Sequence, residues 1–370
     1  MRSKLRICAL IVPLVVAFLV LLSLLSAAVV GEHRYACAHP SYFRHFCRQL
    51  LGEEENTEIG SFFSPRDVAS SAQAEEPIHI LVLGRDRAAG LTDVMMLVSL
   101  DAQEQSLSLL QIPRDTYMAY TTGSYKKCNG AYAKLGGSGL VSYLSSNMGI
   151  PIDHYVCVDL SVLAEMVDAI GGVPLTVPAD MDYDDPAQNL HIHLKAGEQV
   201  LNGAQAQMFV RFRSGYALAD VGRMDAQKVF LSALARQIQQ NLSTAQLLEM
   251  VGRSFGKVQT DMGLRDCIAC VKALREVKLS SMHMATLPGA TARTNGEGGA
   301  WYYILNRAAT EQVLSDTMGA MGTFDPSGVF TNAAKSSFEA IYRADAAQYR
   351  INDYTAEDAL DGNVHIQRLS

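Results

Sequence analysis

Two arginines separated by one residue lie in the segment Val210-Arg211-Phe212-Arg213. The apolar and aromatic run over residues 209–212 predicts a strand. Residues two apart on a strand point from the same face, so Arg211 and Arg213 would present two guanidinium groups side by side. Paired guanidinium groups are suited to binding phosphate oxygens. For an isolated Arg-x-Arg, a solvated strand end with surface ion pairs is the more common interpretation, and it stays open here.

A helix is predicted after this segment, because apolar residues recur at helical spacing over residues 220–240. Asp220 is expected to be its N-cap. Asp220, Arg223 and Gln227 then fall on one stripe at the N-terminal end of the helix, where backbone N–H groups favour an anion. Together with the arginine pair, this arrangement suits a doubly charged phosphate or a pyrophosphate.

More charged residues follow predicted strands, which cover residues 78–84, 94–100 and 107–112. Asp86 and Asp93 flank a loop of small residues, and short carboxylates of this kind can hold Mg²⁺ together with phosphate oxygens. Arg114 follows a proline that stops the third strand. Ligands of α/β sheets tend to bind beyond such strand ends. As a spacing alone this is weak support for a metal, and a local Pro-Arg-Asp ion pair is the alternative for Arg114.

Histidines and cysteines give weaker signals. His191 and His193 would share one face of a strand, but no third metal ligand is near them in the sequence. Two partly exposed strand histidines are therefore expected instead of a metal site. Cys37 and Cys47 could form a disulfide outside the cell, which the sequence leaves open. The sequence contains no Walker loop, nucleophile elbow or kinase signature.

The elements that must position these residues begin after a long apolar segment. Residues 7–30 are long enough to cross a bilayer core of about 30 Å as a helix, and basic residues precede them. The positive-inside rule places residues 1–6 in the cytoplasm and everything after the helix outside the cell. A cleaved signal peptide is the alternative, although its apolar region is usually shorter. We expect a single-pass membrane anchor.

The remainder of the chain divides into three parts. Residues 31–77 show no sustained apolar period, which predicts an extracytoplasmic stalk. Residues 78–322 alternate strand and helix patterns, which predicts one α/β layered domain. Its helices are expected over residues 139–148, 160–170, 220–240, 244–255 and 262–277. Residues 323–370 carry spaced aromatic residues that predict a small packed appendage. The formal net charge of −7 gives no basic field for nucleic acid.

Five segments in this order resemble the LytR-CpsA-Psr family of membrane-anchored cell-envelope proteins. They are Leu83-Gly84-x-Asp86 with Thr92-Asp93-Val94-Met95-Met96-Leu97-Val98-Ser99; Ile112-Pro113-Arg114-Asp115-Thr116-Tyr117; Lys127-x-Asn129-x-Ala131-Tyr132; Val167-Asp168-Ala169-Ile170-Gly171-Gly172-Val173; and Leu201-Asn202-Gly203 leading into Val210-Arg211-x-Arg213, Asp220, Arg223 and Gln227. Each segment is weak by itself. The ordered set behind one N-terminal anchor is specific, and it covers residues 78–289.

The resemblance implies a three-layer α/β/α sandwich with a mixed central sheet and a hydrophobic pocket for a lipid tail. It also implies a phosphotransferase that moves a glycopolymer, such as teichoic acid or capsular polysaccharide, from a polyprenyl pyrophosphate carrier onto peptidoglycan. A polyprenyl pyrophosphate hydrolase and a non-catalytic lipid-pyrophosphate binder that regulates envelope synthesis are the alternatives.

The same resemblance assigns roles to single residues. Asp86 and Asp93 would hold Mg²⁺ or Mn²⁺. The residues expected to carry catalysis are Arg114, Arg211, Arg213, Arg223 and Asp220. The residues expected to bind substrate are Lys127, Gln227, Arg85, Arg87 and Asn129. Asp220 and Gln227 would in addition orient the arginines.

Three positions depart from the family pattern in residue type, and Arg87 lies one position earlier than an arginine that is common in the family. Gln111 stands where a serine is expected, Arg85 where a small or apolar residue is expected, and Leu91 where an arginine is common. We expect Arg85 and Arg87 to compensate for the missing cation at Leu91.

Overall fold

The structure is a computed structural model. It describes residues 77–85, 92–117, 127–149, 152–186, 190–216, 220–243, 246, 258–262, 270, 273, 277–294, 299–319, 335–349 and 354–364. Among these residues, no helix has both the length and the apolar character needed to span a membrane. The predicted anchor, all but the last residue of the predicted stalk, and the cysteine pair Cys37 and Cys47 lie outside the described residues.

A seven-stranded mixed sheet forms the centre of the described structure. Its strands in spatial order are β13 (Tyr354–Thr355), β10 (Met282–Thr286), β3 (Ser106–Gln111), β2 (Thr92–Asp101), β1 (Ile78–Arg85), β4 (His154–Asp159) and β9 (Val258–Thr260). The β1–β4 and β3–β10 pairs are parallel, and the other neighbours are antiparallel. The predicted α/β class with a mixed central sheet is confirmed, as are the first three predicted strands.

Strand β1 shows how the sheet separates two hydrophobic cores. Successive side chains of a strand point to opposite faces. Ile80 and Val82 accordingly lie in one core, whereas Leu81 and Leu83 lie in the other. The unbroken apolar run in the sequence is therefore what a strand buried on both faces requires.

Helices cover both faces of the sheet. The core that contains Ile80 also takes residues from α2 (Leu160–Ala169), α3 (Gly203–Arg211), α4 (Asp220–Asn241) and α7 (Ala356–Leu360). The core that contains Leu81 takes residues from α1 (Ala131–Met148), α5 (Arg307–Met318) and α6 (Lys335–Tyr342). The described elements thus form a helix layer, a sheet layer and a second helix layer.

Helix α1 begins earlier than predicted because a glycine pair bends it without ending it. The prediction started at residue 139, after Gly136 and Gly137. In the structure Gly136 has φ of 67° inside the helix, a conformation that glycine adopts without strain. A Cβ at Gly137 would lie 2.1 Å from the ring of Tyr155 on β4, so glycine also permits the close packing of helix on sheet.

Two other predicted helices agree with the structure. The helices predicted over residues 160–170 and 220–240 are confirmed as α2 and α4, although α4 includes Asp220 as its first residue instead of following it as a cap. Most residues of the helices predicted over residues 244–255 and 262–277 lie outside the described residues.

The strand predicted over residues 209–212 is wrong. These residues form the last turn of α3 and its exit, with Phe209 fully buried. Asn202 begins α3 with a capping box: its side chain accepts a hydrogen bond from the Gln205 backbone N–H at 2.9 Å, and the Gln205 side chain accepts one from the Asn202 N–H at 3.0 Å. This local start commits the segment to a helix. Arg211 is the last helical residue and Arg213 lies in the loop, so the two do not share a strand face.

Three two-stranded antiparallel sheets complete the described strands. They pair β5 (Val173–Val177) with β8 (Gly197–Leu201), β6 (Met181–Asp185) with β7 (Leu190–Leu194), and β11 (Gly289–Arg293) with β12 (Trp301–Leu305). The β6–β7 hairpin contacts α3 through β7.

The described residues after position 334 take part in all three layers. Phe338 and Tyr342 of α6 pack into one core, and Ala356 and Ala359 of α7 pack into the other. Strand β13 extends the central sheet beyond β10.

Candidate anion-binding site

Four charged residues from three elements meet at one edge of the central sheet. Asp93 lies at the start of β2, and Arg114 follows the end of β3. Asp220 and Arg223 lie in the first turn of α4. Because β2 runs antiparallel to β1 and β3, its first residues are beside the last residues of both neighbours. We refer to Asp93, Arg114, Asp220 and Arg223 as the arginine cluster.

The cluster is held together by a ring of ion pairs and hydrogen bonds. Arg114 Nη1 donates to Asp93 Oδ1 at 2.6 Å, and Arg114 Nε lies 3.4 Å from Asp220 Oδ1. Arg223 Nη2 lies 2.9 Å from the same Asp220 oxygen and donates to the Asp93 backbone carbonyl at 3.1 Å. Each arginine therefore contacts both aspartates, which fixes the planes of the two guanidinium groups.

The cluster nevertheless keeps unused hydrogen-bonding capacity. Arg114 Nε, Arg223 Nε and both carboxylate oxygens of Asp220 are buried and make no hydrogen bond to a described residue. A buried polar group without a partner costs about 1–3 kcal/mol, and native structures contain few of them. Two fixed N–H donors, Arg114 Nε and Arg223 Nε, thus lack a hydrogen bond among the described residues, and Arg114 Nε lies 3.4 Å from an Asp220 oxygen.

Burial and nearby charges shift the pKa values of Arg223 and Arg114 in opposite directions. Burial lowers the pKa of Arg223, and the nearby charges of Arg114 and Arg213 lower it further against the opposing effect of Asp220. Arg223 is 4% exposed. Burial is also the largest single influence on Arg114, but Asp220 and Asp93 outweigh it and raise the pKa of Arg114. Two other arginines, Arg114 and Arg213, thus act on Arg223 beside its aspartate partners.

The structure brings Arg213 to this cluster although it does not lie on a strand. Its charge acts on Arg223 from the loop that follows α3. Arg211 is half-buried in the last turn of α3. The Gln227 side chain donates to the Val210 carbonyl at 3.0 Å, which ties this last turn to α4. Gln227 thus holds the backbone that carries Arg211.

Gln111, one of the three departures from the family pattern, is a buried link in this region. Its side-chain amide donates to the Met224 carbonyl at 3.2 Å and to Gln227 Oε1 at 3.4 Å. Its carbonyl oxygen accepts from Thr286 Oγ1 at 3.2 Å. One side chain thereby connects β3, β10 and α4. The sequence marked Gln111 as unusual but gave no sign of these three partners, which come from distant parts of the chain.

Lys127 and Asn129 border the cluster through the segment after β3. Lys127 Nζ lies 2.8 Å from Asp115 Oδ1 and 5.8 Å from the ring centre of Tyr302. The Asn129 N–H donates to the Arg114 carbonyl at 3.0 Å, and the Asn129 carbonyl accepts from Thr92 Oγ1 at 3.3 Å. Asn129 therefore braces the backbone on either side of the Arg114–Asp93 contact.

Arg85 lies at the end of β1 and is bound to a buried carboxylate. Its Nε donates to Asp159 Oδ1 at 3.0 Å, and this hydrogen bond raises the pKa of Arg85 against the effect of burial. Asp159 is the residue opposite Arg85 in the parallel β4. Asp86, Arg87 and Leu91 lie outside the described residues, so the proposed compensation by Arg85 and Arg87 stays a prediction.

The two histidines are strand residues, as expected, but they do have a third possible metal ligand. Strand β6 pairs with β7 and sets Asp184 opposite His191. Each of Asp184, His191 and His193 offers one ligand atom, and these three atoms all lie within 4.8 Å of one another. The expectation that no third ligand is near was wrong because the aspartate comes from the neighbouring strand.

A mixed sheet between two helix layers, with arginines and aspartates in contact at one edge, defines an α/β protein. The chain belongs to the LytR_cpsA_psr family, whose model matches residues 49–318. The family predicted from the five sequence segments is confirmed.

Individual relatives agree with this assignment. The polyisoprenyl-teichoic acid–peptidoglycan teichoic acid transferase TagV of Bacillus subtilis (strain 168) is 32% identical over 204 residues, which is 53% of this chain and 52% of TagV. A transferase of the same description, TagU of Halalkalibacterium halodurans, is 30% identical over 259 residues, 67% of this chain and 80% of TagU. The crystal structure of B. subtilis TagV has a TM-score of 0.57 at 26% identity and covers 68% of this chain and 100% of that one.

Proposed function

We propose that this protein is a membrane-anchored, extracytoplasmic phosphotransferase that moves a glycopolymer from a polyprenyl pyrophosphate carrier onto peptidoglycan. The observation that carries the proposal is the pair of guanidinium groups of buried Arg223 and partly buried Arg114, whose Nε atoms make no hydrogen bond to a described residue. The names of TagV and TagU, which describe transfer of polyisoprenyl-linked teichoic acid to peptidoglycan, support the same substrate class.

The reaction exchanges a phosphoanhydride bond of the pyrophosphate for a phosphodiester bond to peptidoglycan. A hydroxyl oxygen of peptidoglycan attacks the sugar-bearing phosphorus, and the bond from that phosphorus to the bridging oxygen of the pyrophosphate breaks. The hydroxyl proton passes to water, and polyprenyl monophosphate leaves with the bridging oxygen. Negative charge grows on the phosphoryl oxygens during the attack, so the task of the protein is positioning and charge stabilisation.

The arginine cluster is suited to this task. The guanidinium groups of Arg114 and Arg223 are held through Nη contacts to Asp93 and Asp220, which also fix the positions of the two Nε atoms before any substrate binds. Donors fixed in advance stabilise a transition state without reorganisation, and one such donor contributes about 3 kcal/mol in other enzymes. Arg213, Arg211 and Lys127 add further positive charge along the proposed path of the pyrophosphate, and Asp220 orients both buried arginines through one carboxylate oxygen.

We include Mg²⁺ or Mn²⁺ in the proposal, held by Asp86 and Asp93. Asp93 fits a hard cation, because it is a partly buried carboxylate with one oxygen bound to Arg114 and a second oxygen to offer. A bound ion would neutralise part of the charge on the phosphate oxygens. The proposed anchor over residues 7–30 would keep the site outside the cytoplasm and next to the membrane that contains the lipid carrier.

The proposal is tested with the purified full-length protein in detergent, a polyprenyl pyrophosphate oligosaccharide, peptidoglycan fragments and Mg²⁺. Covalently linked oligosaccharide and peptidoglycan are expected, with loss of product in a chelator and recovery on adding Mg²⁺. Free sugar phosphate in place of linked product would identify a hydrolase. Tight binding of the lipid without any turnover would identify a regulatory binder and refute both enzymatic functions.

A further inference from the structure

A second group of ligand-type side chains lies on the solvent face of the β6–β7 hairpin. Asp182 is opposite His193, and Asp184 is opposite His191. The alternate residues Met181, Ile192 and Leu194 are buried in the core. The hydrophobic face thus fixes the backbone of the hairpin, while two carboxylates and two imidazoles form a square on the other face. We refer to Asp182, Asp184, His191 and His193 as the hairpin square.

His193 lies between the two carboxylates. Its Nδ1 is 2.7 Å from Asp182 Oδ1, and its Nε2 is 3.4 Å from Asp184 Oδ1. Metal-binding histidines commonly donate one ring N–H to a carboxylate and use the other nitrogen for the metal, which is the arrangement that Asp182 provides. Two ligands of a tetrahedral zinc ion are separated by about 3.3 Å, given metal–ligand distances of about 2.0–2.1 Å. The separation of His193 Nε2 and Asp184 Oδ1 matches that value.

His191 needs only a small movement to join these ligands. Its Nδ1 lies 2.5 Å from Asp184 Oδ1, a hydrogen bond that is too short for two ligands of the same ion. Both side chains are about half exposed, at 55% for His191 and 51% for Asp184, so rotation does not disturb the core.

We propose that Asp184, His191 and His193 bind a divalent transition-metal ion of the Zn²⁺ type, and that Asp182 orients His193. Two imidazoles and a carboxylate suit Zn²⁺, whereas Mg²⁺ prefers oxygen ligands alone. Three protein ligands leave a fourth position for water or another ligand. The bound ion would join β6 to β7 across the hairpin, whose strand β7 contacts α3. This site uses other residues than the proposed Mg²⁺ site and does not depend on the transferase function.

The test is a calorimetric titration of metal-free full-length protein with Zn²⁺ in the presence of excess Mg²⁺. Binding of one Zn²⁺ is expected to be lost in the double variant H191A/H193A. D182N, which removes only the carboxylate behind His193, is expected to weaken binding about 10–100-fold. D180N is the matched control, because Asp180 pairs with Lys195 at 2.8 Å on the same hairpin but is not a proposed ligand, and its Zn²⁺ affinity should equal that of the unchanged protein.

Cysteine thiolates are the main competing ligands in this chain, so the titration is repeated with Co²⁺. Ligation by imidazole and carboxylate gives visible d–d bands without the ultraviolet thiolate-to-metal band. Absence of Zn²⁺ binding, unchanged binding in H191A/H193A, or a Co²⁺ spectrum from thiolates alone would each overturn the proposal. Circular dichroism of the metal-free variants checks that they fold. If the double variant does not fold, the conservative D184N takes its place, and unchanged Zn²⁺ affinity in D184N would likewise overturn the site.

Discussion

The arginine cluster and the hairpin square both consist of acidic and basic side chains in contact, but the side chains of the cluster are more buried. The side chains of Arg223 and Arg114 are 5% and 18% exposed, whereas those of Asp184 and His193 are 51% and 55% exposed. In the cluster, donors are fixed and some are left without a hydrogen bond. In the square, each imidazole has a carboxylate partner and solvent beside it.

This difference separates two ways of binding a charged ligand. Buried charges are expensive to desolvate and strongly coupled, so they are positioned in advance and suit a transition state. Exposed ion pairs contribute little to stability and rearrange at low cost, so they can open to admit a metal ion. Substitutions that remove a charge from the cluster should therefore lower both stability and activity strongly, and substitutions in the square should change neither in the metal-free protein.

The largest effect is expected for Asp220→Ala. The change removes the carboxylate that contacts both buried arginines and leaves two close positive charges. Removing one partner of a buried ion pair costs about 3–5 kcal/mol. We expect a marked fall in the free energy of unfolding, measured by chemical denaturation, and loss of polymer transfer. The double variant D220A/R223M should recover part of the stability but none of the transfer. Equal stability of the single and double variants would refute the charge coupling.

A large effect on activity with a small effect on stability is expected for Arg114→Lys. Lysine keeps a positive charge near Asp93 but lacks the fixed fork and the Nε donor. Loss of one fixed donor lowers turnover about 10²–10³-fold in other enzymes. The comparison variant is R307K, since Arg307 forms a surface pair with Glu311 at 2.9 Å. Transfer rates and melting temperatures of both variants test this. Retention of full turnover in R114K would place Arg114 outside the reaction.

An intermediate effect is expected for Gln111→Ser, which introduces the residue type expected from the family. Serine cannot reach Met224, Gln227 and Thr286 at once, so buried partners lose hydrogen bonds. We expect a loss of about 1–3 kcal/mol in the free energy of unfolding. Transfer should fall less than in R114K, because Gln111 acts on the arginines only through α4. A neutral result by denaturation would show that the linkage can be replaced by water.

The smallest effect is expected for His191→Asn and His193→Asn in metal-free protein. Both side chains are exposed and their ion pairs are close to solvent. The melting temperature of either variant should equal that of the unchanged protein in a chelator. In Zn²⁺ only the unchanged protein should melt at a higher temperature, because an ion that binds the folded state alone stabilises it. A large loss of stability without metal would show that these pairs are structural.

Local sequence patterns predicted the framework of the molecule well. The continuous apolar runs identified β1, β2 and β3, and the helical periodicity identified α2 and α4. The ordered motifs identified the family and pointed to Asp93, Arg114, Asp220 and Arg223, which the structure joins through direct contacts. These features depend on neighbours in the chain or on motifs that are themselves local.

The sequence-based predictions failed, or were silent, where competing local patterns or contacts between distant residues decide the structure. A short apolar run before Arg213 fits a strand or a buried helix turn equally well, and the capping box at Asn202 and Gln205 decided for the helix. The partner of His191 depends on the register between β6 and β7, which residue spacing does not reveal. The contacts of Gln111 join residues more than a hundred positions apart, so no local pattern could predict them.

Strand β13 has a practical consequence for recombinant fragments of this protein. The family model ends at residue 318, but Tyr354 and Thr355 pair with Met284 and His283 along the outer edge of β10. A fragment that stops at residue 318 would leave this edge with exposed N–H and C=O groups, which promote edge-to-edge aggregation. Fragments for crystallisation or assays should therefore continue at least through α7, and poor solubility of shorter ones would reflect an open sheet and not a defective active site.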